Sequence, residues 1–208
     1  MIKHVRLIFL ISTLLITSTV NSKEPQSCDY LEYVNEIIED FAKEMKTKYD
    51  LRYYGSGGSM PTDVEEIEAM FISYHHMTVD EARKVEINAI QDLIRRINSH
   101  EKIRPYLREY PFHQDRVGVS ISFRTKTDDR PFDGSVALVF LAKNKIFYKA
   151  AEMKMSASIP MTRIDENNKW TTEIKPGELR ETLTSLHEET YEEALKIAGI
   201  TPHPHQKQ

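Results

Sequence analysis

The chain has 208 residues, of which 28 are Lys or Arg and 32 are Asp or Glu, for a formal net charge of −4. An acidic chain without a basic stripe is a poor match for nucleic acid or an anionic membrane surface. Its one cysteine, Cys28, excludes an internal disulfide, so the fold must stand on its apolar core.

Lys3 and Arg6 open the chain, and the apolar run LIFLISTLLI occupies residues 7–16. Val20 and Ser22 then stand where a leader peptidase expects small residues, with cleavage after Ser22. A membrane-spanning helix needs about 20 apolar residues, and this run is about half as long. Residues 1–22 therefore read as a secretory signal peptide, which exports the protein to the periplasm or beyond. Cleavage removes Lys3 and Arg6 and leaves a still more acidic chain. Residues 23–199 read as a single α+β domain and residues 200–208 as a disordered tail. The polar EPQS before Cys28 does not suit lipidation, which leaves that thiol free or paired between chains. The absence of disulfides and of any Asn-x-Ser/Thr sequon favours a bacterial envelope or secreted protein.

A first helix is expected over residues 29–48, with Leu31, Val34, Ile38, Phe41 and Met45 at helical spacing. The stretch YYGSGGSMP, residues 53–61, holds Gly55, Gly57 and Gly58 and reads as a hinge loop. Thr62-Asp63-Val64-Glu65 has the form of a capping box. It predicts a second helix whose apolar side is Val64, Ile67, Phe71 and Tyr74. Thr78-Val79-Asp80-Glu81 is another such box and opens a third helix with a broad apolar face. Pro105 and Pro111 then end helical structure. In VGVSISF, residues 117–123, the period changes to two and marks a strand. The small alternate residues Gly118, Ser120 and Ser122 would let a helix pack closely on that face. Strands follow over residues 135–142, 146–152 and 170–174, with a turn at Lys143-Asn144-Lys145. A closing helix is expected over residues 177–198, with Leu179, Leu183, Leu186, Ala194 and Ile197 inward and Gly199 as its stop. The expected fold is α+β: three N-terminal helices, a three- to four-stranded antiparallel meander and a C-terminal helix.

No complete catalytic constellation emerges. The glycine stretch lacks the Gly-Lys-Ser/Thr ending of a phosphate loop, and the acids behind it, Asp63, Glu65, Glu66 and Glu68, would repel phosphate. It does not match the Gly-x-Ser-x-Gly elbow either. Ser99-His100-Glu101-Lys102 contains a Ser-x-x-Lys match without its companion motifs. His75 and His76 are adjacent and point apart, and no His-x-x-x-His or Cys-x-x-Cys occurs, so no metal or cofactor is implied. Two surfaces remain as candidates. Tyr53, Tyr54, Gly55, Ser56, Gly57, Gly58 and Ser59 could line a small-molecule site, since aromatics beside glycines suit such sites. On the expected closing helix, Glu188/Glu192 and Glu189/Glu193 are like-charged i,i+4 pairs, which a basic protein partner would relieve.

The run MTVDEARKVEINAIQDLIRRINSHEKIRPYLREYPF, residues 77–112, together with the glycine stretch, resembles a family of uncharacterised small exported bacterial proteins. That resemblance implies no activity. The expectation is a non-catalytic exported module that binds a protein or envelope partner. The alternative is a small exported hydrolase or ligand-binding enzyme, with its site at residues 53–61.

Overall fold

The computed structural model describes residues 29–201. The expected signal peptide, Cys28 and all but the first two residues of the expected tail lie outside the described residues. The described chain is mixed α+β, with three α-helices and a mostly antiparallel six-stranded sheet. The chain order is α1 (Asp29–Tyr49), β1 (Arg52–Ser59), β2 (Glu66–Ser73), α2 (Val79–Ser99), β3 (Val117–Phe123), β4 (Leu138–Ala142) and β5 (Lys145–Met155). It continues with β6 (Ile159–Ile164), β7 (Trp170–Lys175), β8 (Leu179–Thr190) and α3 (Tyr191–Ala198). The sheet order is β1-β2-β3-β4-β5-β8, and β6 and β7 form a separate two-stranded sheet inserted between β5 and β8.

Among the described strands only β2 and β3 pair in parallel, because α2 is the crossover between them. Thr78 caps α2 and exchanges hydrogen bonds with Glu81, as its capping box predicts. Ile87, Ile90, Leu93, Ile94 and Ile97 of α2 are fully buried. Each stabilises the fold by about 1.5–3 kcal/mol relative to exposure. They meet the inward row of β3, Val117, Val119, Ile121 and Phe123, in one continuous core. From α1, the Phe41 ring meets Phe71 of β2 edge-on at 5.5 Å. Asn98 ties the excursion after α2 to the core. Its side-chain amide donates to Phe112 O at 3.0 Å, and its oxygen accepts from Phe112 N at 2.7 Å. Lys143 and Asn144 both have positive φ, as the two-residue turn joining β4 to β5 requires.

Four expectations are corrected. The helices are not all N-terminal: the second expected helix is the strand β2, with Ile67, Ala69 and Phe71 inward and Glu66, Glu68 and Met70 outward. The glycine stretch is not a hinge but the edge strand β1, paired antiparallel with β2. The closing helix spans only Tyr191–Ala198. Residues 179–190 form β8, paired with β5 from Lys145↔Thr190 to Met155↔Leu179. Leu179, Leu183, Leu186 and Ile197, expected to face inward, are exposed, and of that set only Ala194 is buried. The outward row Gly118, Ser120 and Ser122 carries no helix. Glu68 lies against Gly118, and Arg124 and Arg130 donate to the Ser122 hydroxyl.

Beyond Lys149, β5 pairs with β8 alone, so the two strands leave the sheet as a ribbon. A hydrogen-bonded bridge between Ser156 and Glu178 closes that ribbon and leads into β6–β7. A side chain at Gly177 would collide with the Ser156 carbonyl, so the crossing there requires glycine.

Candidate functional site

The glycine strand answers to packing. Gly57, Glu68 and Gly118 are cross-strand neighbours on β1, β2 and β3. A Cβ at Gly57 would stand 3.2 Å from Glu68 Oε2, and one at Gly118 would stand 2.8 Å from Glu68 Cγ. The two glycines make the space in which the Glu68 side chain lies flat across the sheet. Gly58 has φ 142°, and a Cβ there would enter the Glu66 carbonyl. The seven residues read as a small-molecule site do not converge. Gly55, Gly57 and Ser59 share a side with Met70, Glu68 and Glu66, whereas Tyr53, Ser56 and Gly58 pair with Phe71, Ala69 and Ile67 of the core face. Tyr54 is exposed to solvent, and Ser59 Oγ donates to Glu65 Oε2 at 2.7 Å.

The four glutamates do not share a helical face. Glu188 and Glu189 are on β8, while Glu192 and Glu193 open α3. Glu189 is buried: Arg83 Nε of α2 and Tyr148 Oη of β5 each donate to its Oε1 at 2.7 Å. Arg83 also pairs with Asp80, and its guanidinium lies over the Tyr148 ring. Burial opposes the Arg83 charge, but hydrogen bonds to Glu189 and Asp80 outweigh it and hold the group cationic. Burial and the bond to Glu189 push the Tyr148 hydroxyl well above its usual range. One turn along α2, Glu86 is fully buried, and burial raises its carboxyl well above the ordinary value. Glu188 pairs with Lys145 and Glu192 accepts from the Asn144 amide. Glu193 accepts from Thr190 N and Oγ in a capping box that sequence reasoning missed. These carboxylates therefore brace the junction of α2, β5, β8 and α3.

Two further features lie outside those two candidate surfaces, although the long charged loop over residues 124–134 was legible in the sequence as a hairpin tip that a partner could use. The first is a cleft of about 450 Å³ at the carboxyl ends of β2 and β3, walled by residues 74–76, 123–126, 131–133 and 136. His75 and His76 point apart, as their adjacency requires: His75 Nε2 meets Asp50 at 3.0 Å, and His76 Nε2 meets Asp133 at 3.1 Å. Hydrogen bonding from Ser135, and then from His76, holds the Asp133 carboxyl below its usual range. Tyr74 Oη donates to Asp128 at 2.9 Å, which raises its pKa. No residue of β1 lines this cleft.

The second feature is the β6–β7 hairpin. Its register pairs Pro160 with Ile174, Thr162 with Thr172 and Ile164 with Trp170, so these six uncharged residues share one side. Trp170 and Ile174 are 68% and 69% exposed, and Ile164 is half-exposed. The other side is mixed: it carries Ile159, Met161 and Thr171 beside Arg163, Glu173 and Lys175, with Arg163 and Glu173 paired at 3.4 Å. At the end of the ribbon leading to it, Met153, Met155 and Leu179 are also exposed.

Among the described residues no helix is long and apolar enough to cross a membrane, and no group of three or more potential metal ligands converges. No protein family, curated protein or solved structure matches this chain.

Proposed function

We propose that this chain is an exported, non-catalytic binding module that docks a protein partner through the apolar side of the β6–β7 hairpin. The observation that carries the reading is that a hairpin far from the core keeps one side uncharged and exposed, with the chain's sole tryptophan on it. A two-stranded hairpin is marginally stable by itself in water, so burying this side against a partner supplies the packing it lacks. Tryptophan is among the residues that most often anchor protein interfaces, and charges on the opposite side suit a polar rim. A protein fits better than a lipid surface, because the chain is acidic overall and the row is interrupted by Thr162 and Thr172. Export rests on the leader-like residues 1–22, and N-terminal sequencing of protein recovered outside the cytoplasm should find Lys23 first.

The alternative, an enzyme at the glycine strand, gains no support: Ser59 is engaged by Glu65, and Glu65 in turn by Arg108. The docking reading is tested by the emission of Trp170. Fractionated envelope and secreted proteins are added to the purified chain. One fraction should shift the emission to the blue and protect it from iodide, and Ile174→Glu should abolish both effects. Unchanged emission across all fractions would overturn the reading.

A further inference from the structure

We propose that the cleft at the carboxyl ends of β2 and β3 binds a small organic carboxylate with an apolar, ring-sized body. This site is separate from the hairpin and independent of its partner.

The position follows from topology. β2 and β3 are neighbours and run the same way, but their carboxyl ends feed different connections, one segment entering α2 and the other the long loop to β4. Such divergence at the carboxyl ends of parallel strands opens a crevice, the place where open α/β sheets take their ligands. A volume of about 450 Å³ suits a small molecule.

The walls set the ligand's chemistry. Phe123, Pro131 and Val136 are buried and form an apolar floor, while Phe132 and Tyr74 at the rim keep a large part of their rings exposed. A concave surface with half-covered rings favours an apolar body. The charged groups divide into satisfied and unsatisfied ones. Asp133 accepts from Ser135 and faces His76, Asp128 accepts from Tyr74, Asp129 accepts from Thr127, and Asp50 is held by Lys46 and His75. Arg124 and Lys126 line the cleft with no carboxylate in ion-pair range among the described residues. Arg124 is steadied from behind, donating through Nε to Ser122 Oγ at 3.2 Å and through Nη1 to Asp128 O at 3.3 Å. A guanidinium fixed in this way, beside an exposed ammonium, lacks only an anion, and the planar fork matches a carboxylate.

The experiment titrates the full chain with phenylacetate, 3-phenylpropionate and hexanoate, and with 3-phenylpropionamide as an uncharged analogue, followed by amide NMR. At least one acid should bind saturably, with shifts confined to residues 74–76 and 123–136. The amide should bind about tenfold more weakly, the loss expected for one charge-assisted contact. Lys126→Met, at an exposed position, should bring the acid close to the amide, and Phe132→Ala should weaken both ligands. The proposal is overturned if none of the three acids binds saturably. It is equally overturned if acid and amide bind alike, if the shifts fall elsewhere, or if Lys126→Met leaves the preference intact.

Discussion

Arg83 Nε donates to Glu189 Oε1 at 2.7 Å, joining α2 to β8 across 106 positions of sequence with both side chains buried. Tyr148 shares the same carboxylate oxygen, so one acceptor holds a helix and two strands together. Breaking a buried pair by removing one partner strands the other charge, which typically costs about 3–5 kcal/mol. Arg83→Met should therefore lower the urea midpoint strongly. Arg83→Met combined with Glu189→Leu should cost much less than the sum of the two single changes. Strict additivity would show that the pair is not coupled.

Glu86 behaves in the opposite way. Burial raises its carboxyl well above the ordinary value, so the folded state holds the proton while the unfolded chain releases it near pH 4.3. The folded state thus binds more protons above that pH, and stability falls as pH rises from the unfolded value through the folded one. Glu86→Met should remove this contribution. The variant should gain more stability at pH 8, where folding the native chain must take up a proton, than at pH 4, where both states already largely hold it. Denaturation curves of the two proteins at pH 4 and pH 8 measure the difference directly. An equal gain at both pH values contradicts the linkage.

The glycines of β1 should rank by geometry. Gly58→Ala places a side chain at φ 142° against the Glu66 carbonyl and should cost about 1–3 kcal/mol. Gly55→Ala meets only the flexible Met70 Cε at 3.4 Å and should cost far less. Thermal melts of both variants check the order. Equal effects would point to a role for the strand beyond packing.

Capping gives a further contrast. Thr190→Ala and Thr78→Ala each remove a cap that accepts from the backbone three residues on, and each should cost about 1 kcal/mol. Thr62→Ala removes no helix cap, because β2 follows it, and should be close to neutral in the same melts.

That contrast bears on what the sequence makes legible. Thr78 and Glu81 with the isoleucines of α2, the alternation of residues 117–123, and Lys143-Asn144 all carry local signals that agree with their final environment. The failures share a cause. Ile67 and Phe71, like Leu179 and Leu183, are four residues apart, a spacing that puts both side chains on one face of a helix and equally on one side of a strand. Abundant Glu, Leu and Met favour the helix locally, but pairing with a neighbouring strand decides the outcome. The glycines of β1 read as a loop because the side chain that needs their space, Glu68, belongs to the next strand. The cleft was hidden for a similar reason: residues 74–76 and 123–136 meet only when β2 and β3 pair in parallel. On the hairpin, Trp170 was legible as part of a strand, but its partner strand β6 was not.

The most direct measurement of the central claim places a photo-reactive phenylalanine analogue at position 170 of the full chain, in the cells that make it. The same analogue at Lys84, exposed on α2, serves as the control. Substitution at these exposed positions should change stability by no more than about 0.5 kcal/mol. Illumination should yield one discrete protein adduct from position 170 and none from position 84, and Ile174→Glu should remove it. No adduct at 170, or the same adducts from both positions, would contradict docking through the β6–β7 hairpin.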